Sequence, residues 1–171
     1  MAQPMADVTI RPLRIENQAE RGLVLALFER STSVGFPAWY TLEELGARQR
    51  ESAAALLERQ ALSDTPPQTT TVEVVLIAET AAGEAIGFVW VRVAVDPFTQ
   101  QPVGHVEDLA TVPGHEGKGV GSALMAAAED WARGRGLSAL TLHVWPANTR
   151  ARALYARHGF DEEKIRMRKV L

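Results

Sequence analysis

The sequence predicts one domain of the α/β (α+β) class, built on a mixed, mostly antiparallel central sheet. Three observations predict it. Three β-type runs follow one another between residues 72 and 112 with short turns between them, the pattern of an antiparallel meander. A strand, an amphipathic helix and another strand succeed one another between Val103 and Trp145, an order that requires a parallel, right-handed crossover. Two helical runs precede them all.

Taken in order, Val8 to Leu13 alternates and reads as a first strand. Asn17 to Arg30 carries Leu23, Leu25, Leu27 and Phe28 and reads as a helix. Ser31 to Pro37 is a turn-rich break. Thr41 is a good N-cap for a second helix, with Glu44 three residues on completing a capping box, and that helix runs to about Ala61. Ser63 to Thr71, with Pro66 and Pro67, is a loop. Strands are expected at Val72 to Glu79, Ala85 to Val95 and Val103 to Val112. A helix over Val120 to Arg133 places Leu124, Ala128 and Trp131 on one face. Ser138 to Trp145 alternates as a strand, Asn148 to His158 is a short helix closed by Gly159, and Lys164 to Leu171 alternates as a last strand.

Composition bounds the function. A chain of 171 residues, 46% hydrophobic and 23% charged, has the balance of one globular domain with a real core. A net charge of -3 argues against nucleic acid as a main partner and sits more comfortably with a cationic small molecule. The absence of cysteine excludes disulfides, zinc thiolates and cysteine nucleophiles, and fits a reducing compartment. No apolar run approaches the ~18 residues of a membrane span, and Met1 to Asp7 lacks a signal-peptide layout. The expected setting is cytoplasmic, with no membrane, nucleic-acid or metal partner.

The stretch that carries chemistry runs from Val112 to Ser122. Gly117, Gly119 and Gly121 remove side chains where a backbone must approach a ligand, at the start of a helix whose free N–H groups favour an anion. A Walker A loop is excluded, because Val112 stands where its first glycine belongs and Gly119 where its Ser or Thr belongs. A dinucleotide fingerprint is excluded too, because Gly117 to Ser122 reads G-x-G-x-G-S and follows antiparallel strands.

Leu109-Ala110-Thr111-Val112-Pro113, followed by Glu116-Gly117-Lys118-Gly119-Val120-Gly121-Ser122, resembles the acetyl-CoA motif of the GCN5-related N-acetyltransferase superfamily. Asn148 to Phe160, with Ala151, Leu154-Tyr155 and Gly159-Phe160, is similar to its second motif. The resemblance covers Val103 to Phe160 in detail and the first hundred residues only as an order of elements. It implies the acyl-CoA N-acyltransferase fold, with helices on both faces of the sheet, and acetyl-CoA as co-substrate. It divides the single domain 1–171 into acceptor-side elements at 8–71 and a donor core at 103–160. One departure stands out: Glu116 occupies a position usually Arg or Gln, and its carboxylate should repel a pyrophosphate unless it turns into solvent or meets Lys118.

The resemblance also implies roles. Leu109, Ala110, Thr111 and Val112 would pair with the pantetheine arm, a backbone N–H near Leu109 or Ala110 polarising the thioester carbonyl. Glu116 through Ser122, including Val120, would surround the pyrophosphate; Asn148, Ala151 and Tyr155 would complete the donor site. Asn148 is equally a helix N-cap. Tyr155 would be the acid for the leaving thiolate. Glu107 is the best match to the usual base, with Asp108, His105 or water as alternatives; on a regular strand Glu107 and His105 share one face and Asp108 takes the other. For the acceptor, Phe36, Trp39 and Tyr40 cluster between the first two helices, and Trp90 and Arg92 share a strand face, Arg92 being placed to meet a substrate carboxylate. Trp131 and Trp145 read as structural.

The expected function is therefore acetyl transfer from acetyl-CoA to a primary amine of a small molecule, by direct attack in a ternary complex. The alternatives are a protein or peptide N-acetyltransferase and an inactive CoA-binding regulator. A homodimer is a family habit.

Overall fold

A computed structural model of the chain describes residues 8–31, 34–62 and 72–169. The expected loop at 63–71 and the N-terminal seven residues lie outside them. The elements are β1 (Val8–Pro12), α1 (Gln18–Ser31), α2 (Leu42–Leu62), β2 (Glu73–Thr80), β3 (Ala85–Val95), β4 (Pro102–Thr111), α3 (Val120–Arg133), β5 (Leu140–Leu142) and α4 (Thr149–Arg157). The sheet order is β1-β2-β3-β4-β5. Its first four strands are antiparallel, and β5 pairs with β4 in parallel. This is the expected mixed α/β sheet.

Three of the four helices begin where short polar side chains cap them. Asn17 Oδ1 accepts from the N–H groups of Ala19 (3.0 Å) and Glu20 (3.3 Å). Thr41 and Glu44 close the capping box in both directions, at 2.9 and 3.1 Å. Asn148 Oδ1 caps α4 through the Ala151 N–H at 3.2 Å.

Two cores form on opposite faces of the sheet. Alternation along β2 sends Val75 and Ile77 toward α1 and α2, where Val24, Phe28, Leu56, Phe88 and Trp90 are buried with them. Leu76 and Ala78 face the other way, onto Leu124, Met125 and Ala128 of α3. Full burial of a side chain such as Phe28 is worth about 1.5–3 kcal/mol, so the two cores clamp the sheet from both sides. At the β1 edge, Arg11 bridges the buried Glu20 (2.9 Å) and Glu79, tying α1 to two strands.

Two strand expectations need correction. Residues 164–169 form no strand, and Ile165 and Met167 stand 76% and 90% exposed. They pair with neither open edge of the sheet, β1 or β5, and a strand needs a neighbour as well as a pattern. The expected strand Ser138 to Trp145 shrinks to Leu140–Leu142, since β4 turns away from it beyond Val106. No helix among the described residues is long and apolar enough to cross a membrane.

Candidate active site

The departure of β4 from β5 creates the site. Trp90 of β3 pairs with Asp108 and the next residue, Val91, pairs with Val106, so Glu107 is an extra residue in β4: a β-bulge. Val106 therefore packs with the α3 core, while Asp108, opposite Trp90, takes the α1 face. The bulge breaks the simple alternation that the sequence suggests. Below it, β4 and β5 are paired over Gly104–Val106 and Leu140–Leu142; above it they diverge around a cavity of about 910 Å³. Residues 107–111 form one wall and His143, Val144 and Trp145 the other, with α3 and α4 closing the end.

At that end the start of α3 is open. Gly119 sits at the N-cap with φ 88°, a left-handed conformation that side chains resist, and no side chain caps the helix. The first intrahelical bond runs from Ala123 N–H to Gly119 C=O, so the N–H groups at 120–122 have no helical partner. Gly121 lets α4 approach: a Cβ there would stand 3.3 Å from Leu154 Cδ2. Lys118, Arg150 and Arg157 add positive charge around the same cavity. A phosphate-bearing ligand with a long extended arm fits this chemistry, its anion at the helix start and its amides along the unpaired side of β4.

Asp108 and Tyr155 line the cavity together. Burial pushes the Asp108 carboxyl up to about 7, with the charge of Glu107 adding to it, while hydrogen bonds from Ser31 Oγ (2.9 Å) and the Leu109 N–H oppose the shift. Burial, and secondarily the charge of Asp108, pushes the Tyr155 phenol up to about 12. The carboxyl thus exchanges protons near neutrality, and the phenol remains a proton donor. Glu107 also lines the cavity but is engaged in an ion pair with Arg92. His105 is hydrogen-bonded to Thr141 (2.8 Å) and lies outside the wall; burial, with help from His143 and Arg92 and against Glu107, holds its imidazole below its ordinary range.

Glu116 does not meet Lys118, and it is only partly exposed to solvent. It lies between Arg30 of α1 and Arg150 of α4 (2.8 Å), whose hydrogen bonds hold its carboxyl below the usual range. Arg30 also donates to the Thr111 carbonyl at 2.6 Å. The expected repulsion is therefore compensated by two arginines at this position.

The other sequence-predicted residues divide clearly. Leu109, Ala110, Thr111, Glu116, Gly117, Lys118, Gly119, Gly121, Ser122, Asn148 and Ala151 line the cavity. Val112 packs on the α1 core and Val120 is buried beneath α3. Trp90 is a core residue, its indole N–H given to Glu73 (2.9 Å), because its face of β3 is covered by Phe28. Arg92 is turned to Glu107. Phe36, Trp39 and Tyr40 stand off the wall; Tyr40 packs on Trp145 (5.8 Å), which does line it. Arg30, Ser31, Val34 and Gln49 are the contributions of the N-terminal half. Sequence reasoning missed them, as it missed Arg150 and His158.

A mixed sheet split beside an uncapped glycine helix start, with a neutral-range carboxyl and a phenol on the split, is an arrangement whose chemistry suits a phosphate-bearing ligand. The chain belongs to the acetyltransferase (GNAT) family, whose model matches residues 34–160. It is 35% identical over 85 residues to the mycothiol acetyltransferase of Renibacterium salmoninarum, covering 50% of this chain and 25% of that protein. It is 35% identical over 92 residues to the aminoglycoside N(6')-acetyltransferase type 1 of Klebsiella aerogenes, covering 52% and 59%. The chain thus spans less than two thirds of these relatives. A putative acetyl transferase from Pyrococcus furiosus has the same fold, with TM-score 0.71 and 25% identity over 96% of this chain and 99% of that one.

Proposed function

We propose that this chain is an N-acetyltransferase that moves an acetyl group from acetyl-CoA to the primary amine of a cationic small molecule, by direct attack in a ternary complex. The observation that carries the reading is Asp108: a carboxyl pushed to about 7, on the wall of the cavity that begins at the open start of α3.

Bound acetyl-CoA supplies the acyl group as an activated thioester. The N–H groups at the start of α3 hold its phosphates, and the unpaired edge of β4 holds its arm. An amine of pKa about 10 is mostly protonated at pH 7 and cannot attack. Asp108 removes that proton, and its elevated affinity for protons makes it a better base than an ordinary carboxylate. Glu107, committed to Arg92, adds negative charge that draws the ammonium in. The amine nitrogen bonds to the carbonyl carbon, the carbon–sulfur bond breaks, the nitrogen gives up its second proton to solvent, and the sulfur leaves as a thiolate hydrogen-bonded by the Tyr155 hydroxyl.

The two proton positions are coupled. Asp108 raises the Tyr155 phenol while it is charged. Once it carries the amine's proton, that opposition ends and the phenol becomes a stronger donor to sulfur. A phenol near 12 facing a thiol of about 8.5 still makes full transfer uphill, by roughly 5 kcal/mol. Tyr155 therefore acts mainly by hydrogen bonding, and Tyr155→Phe should lower kcat about tenfold with CoA affinity unchanged.

The acidic β4 wall supports a cationic acceptor, as do relatives named for aminoglycoside and mycothiol acetylation. Thiol release from acetyl-CoA should be followed across aminoglycosides, polyamines, amino acids and peptides; the chain has no cysteine to raise the background. Release with a cationic small molecule, with its amine acetylated, is the expected result. Release with peptides alone would replace the acceptor class. CoA binding with no turnover on any acceptor would favour a regulator.

A further inference from the structure

A three-membered hydrogen-bonded chain runs from the donor cavity into the protein. Ser122 Oγ lies 2.7 Å from His158 Nε2, and His158 Nδ1 lies 2.7 Å from Glu129 Oε1. Arg133 holds the other Glu129 oxygen at 2.7 Å. His158 stands between the large cavity and a second one of about 260 Å³, and lines both. Ser122 is in the first turn of α3, beside the open N–H groups.

Donor and acceptor bookkeeping fixes the polarity of this chain. Burial opposes the charge on Glu129, but hydrogen bonds from His158 and Arg133 win and hold its carboxyl below the usual range. An ionised carboxylate only accepts, so His158 Nδ1 must carry a hydrogen. In neutral His158, Nε2 is then bare, and the Ser122 hydroxyl must donate to it. Only oxygen lone pairs are left facing the cavity, the wrong polarity for a phosphate. In the imidazolium, Nε2–H donates to Ser122 Oγ, and the hydroxyl hydrogen is free to turn into the cavity.

We propose that His158 takes up a proton when the donor's pyrophosphate binds, turning Ser122 from an acceptor into a phosphate donor. His158 is then a positioning residue acting through Ser122. This rests on the reading of the α3 start as the donor phosphate site. Imidazole is the side chain suited to such linkage near neutrality. Glu129 contacts it and is itself held by Arg133, both of α3; Arg157 of α4 and Lys118 of the loop line the cavity that it faces. Asp108, Tyr155 and Glu116 lie on other parts of the same cavity.

The test is calorimetric binding of dephospho-CoA, which keeps the pyrophosphate and lacks the titrating monoester, in buffers of different ionisation enthalpy. Net proton uptake on binding is expected, with affinity falling as pH rises. His158→Gln should abolish the uptake and flatten the pH profile. Ser122→Ala, a change good helix formers tolerate, should lower affinity about three- to tenfold and also remove the uptake. Asp108→Asn should retain it, separating this proton from the one on Asp108. Tight binding with no uptake, or uptake that survives both Ser122→Ala and His158→Gln, overturns the relay and leaves the donor site standing. No binding at all overturns the donor reading itself, and the relay with it.

Discussion

The closed end of the cavity and its α1 side are made of different material. On the α3–α4 side the site is largely backbone: an uncapped helix start, left-handed Gly119 and the close packing that Gly121 allows. On the α1 side it is side chains that reach across the fold. Ser31 holds Asp108, and Arg30 holds both Glu116 and the Thr111 carbonyl. Under the proposed function, a backbone cradle would recognise what every acyl-CoA donor has in common, and would tolerate side-chain change around it. A wall of reaching side chains tunes charge and proton affinity, and each change in it is felt. If this contrast holds, substitutions at side chains of the second wall should alter chemistry and pH dependence, and substitutions in the cradle should alter donor binding.

The largest effect is expected at Asp108. Asp108→Asn should lower kcat/KM by about 100- to 1000-fold while CoA affinity is kept. In the wild-type protein, kcat/KM should rise with pH through about 7 as the base ionises, and that limb should vanish in the variant. Stability should move the other way. The native carboxyl is shifted up from 3.8 to about 7, so the folded state prefers the proton. The stabilisation present at low pH relative to the ionised state is lost as pH rises through about 7. Asn never ionises, and the variant should gain about 1–3 kcal/mol at pH 8 with little gain at pH 4. Thermal melts at the two pH values check this. A loss of stability at pH 8 would break the assignment of Asp108 as a desolvated base.

The contrast also explains which parts were legible in the sequence. Residues 112–122 and 148–160 specify local backbone geometry, so their glycines, cap and spacing could be read directly. The caps at Thr41 and Asn148 were legible for the same reason. Ser31 and Asp108 are 77 positions apart, and Arg30 and Glu116 are 86 apart. No local pattern announces such pairs. The bulge at Glu107 was equally hidden, since strand alternation assumes one residue opposite one residue; the extra residue sends Asp108 to the α1 face. The alternation of Ile165 and Met167 was visible, but whether it would pair with an edge of the sheet was not.

A smaller effect is expected in the cradle. Gly119→Ala places a Cβ on a left-handed N-cap, at a cost of about 1–2 kcal/mol. CoA affinity should fall roughly tenfold, while the pH dependence of kcat, set by Asp108, should keep its midpoint. Direct binding combined with a pH–rate profile separates the two. A displaced midpoint would mean that the two walls are not independent.

Arg30 crosses between the walls and should give an intermediate, charge-dependent result. Arg30→Ala leaves Glu116 with Arg150, so its carboxylate faces the phosphates less well compensated. Donor KM should rise about threefold to fivefold, more steeply at low salt. Removing Glu116 in the same chain should restore most of the lost affinity. If the double substitution Arg30→Ala, Glu116→Ala binds CoA no better than Arg30→Ala alone, Arg30 acts through the Thr111 carbonyl instead of through charge.

Arg92 should matter least. A side chain at the strand surface, paired with Glu107 beside the bulge, is in a setting where an ion pair contributes about 0–1 kcal/mol. It does not line the cavity, so Arg92→Ala should change kcat by no more than about twofold. Its acceptor KM should fall slightly for cationic amines, because Glu107 is released to attract them. An acceptor KM that rises strongly for carboxylate-bearing amines would return Arg92 to the acceptor site, and would show that the Arg92–Glu107 pair opens when substrate enters.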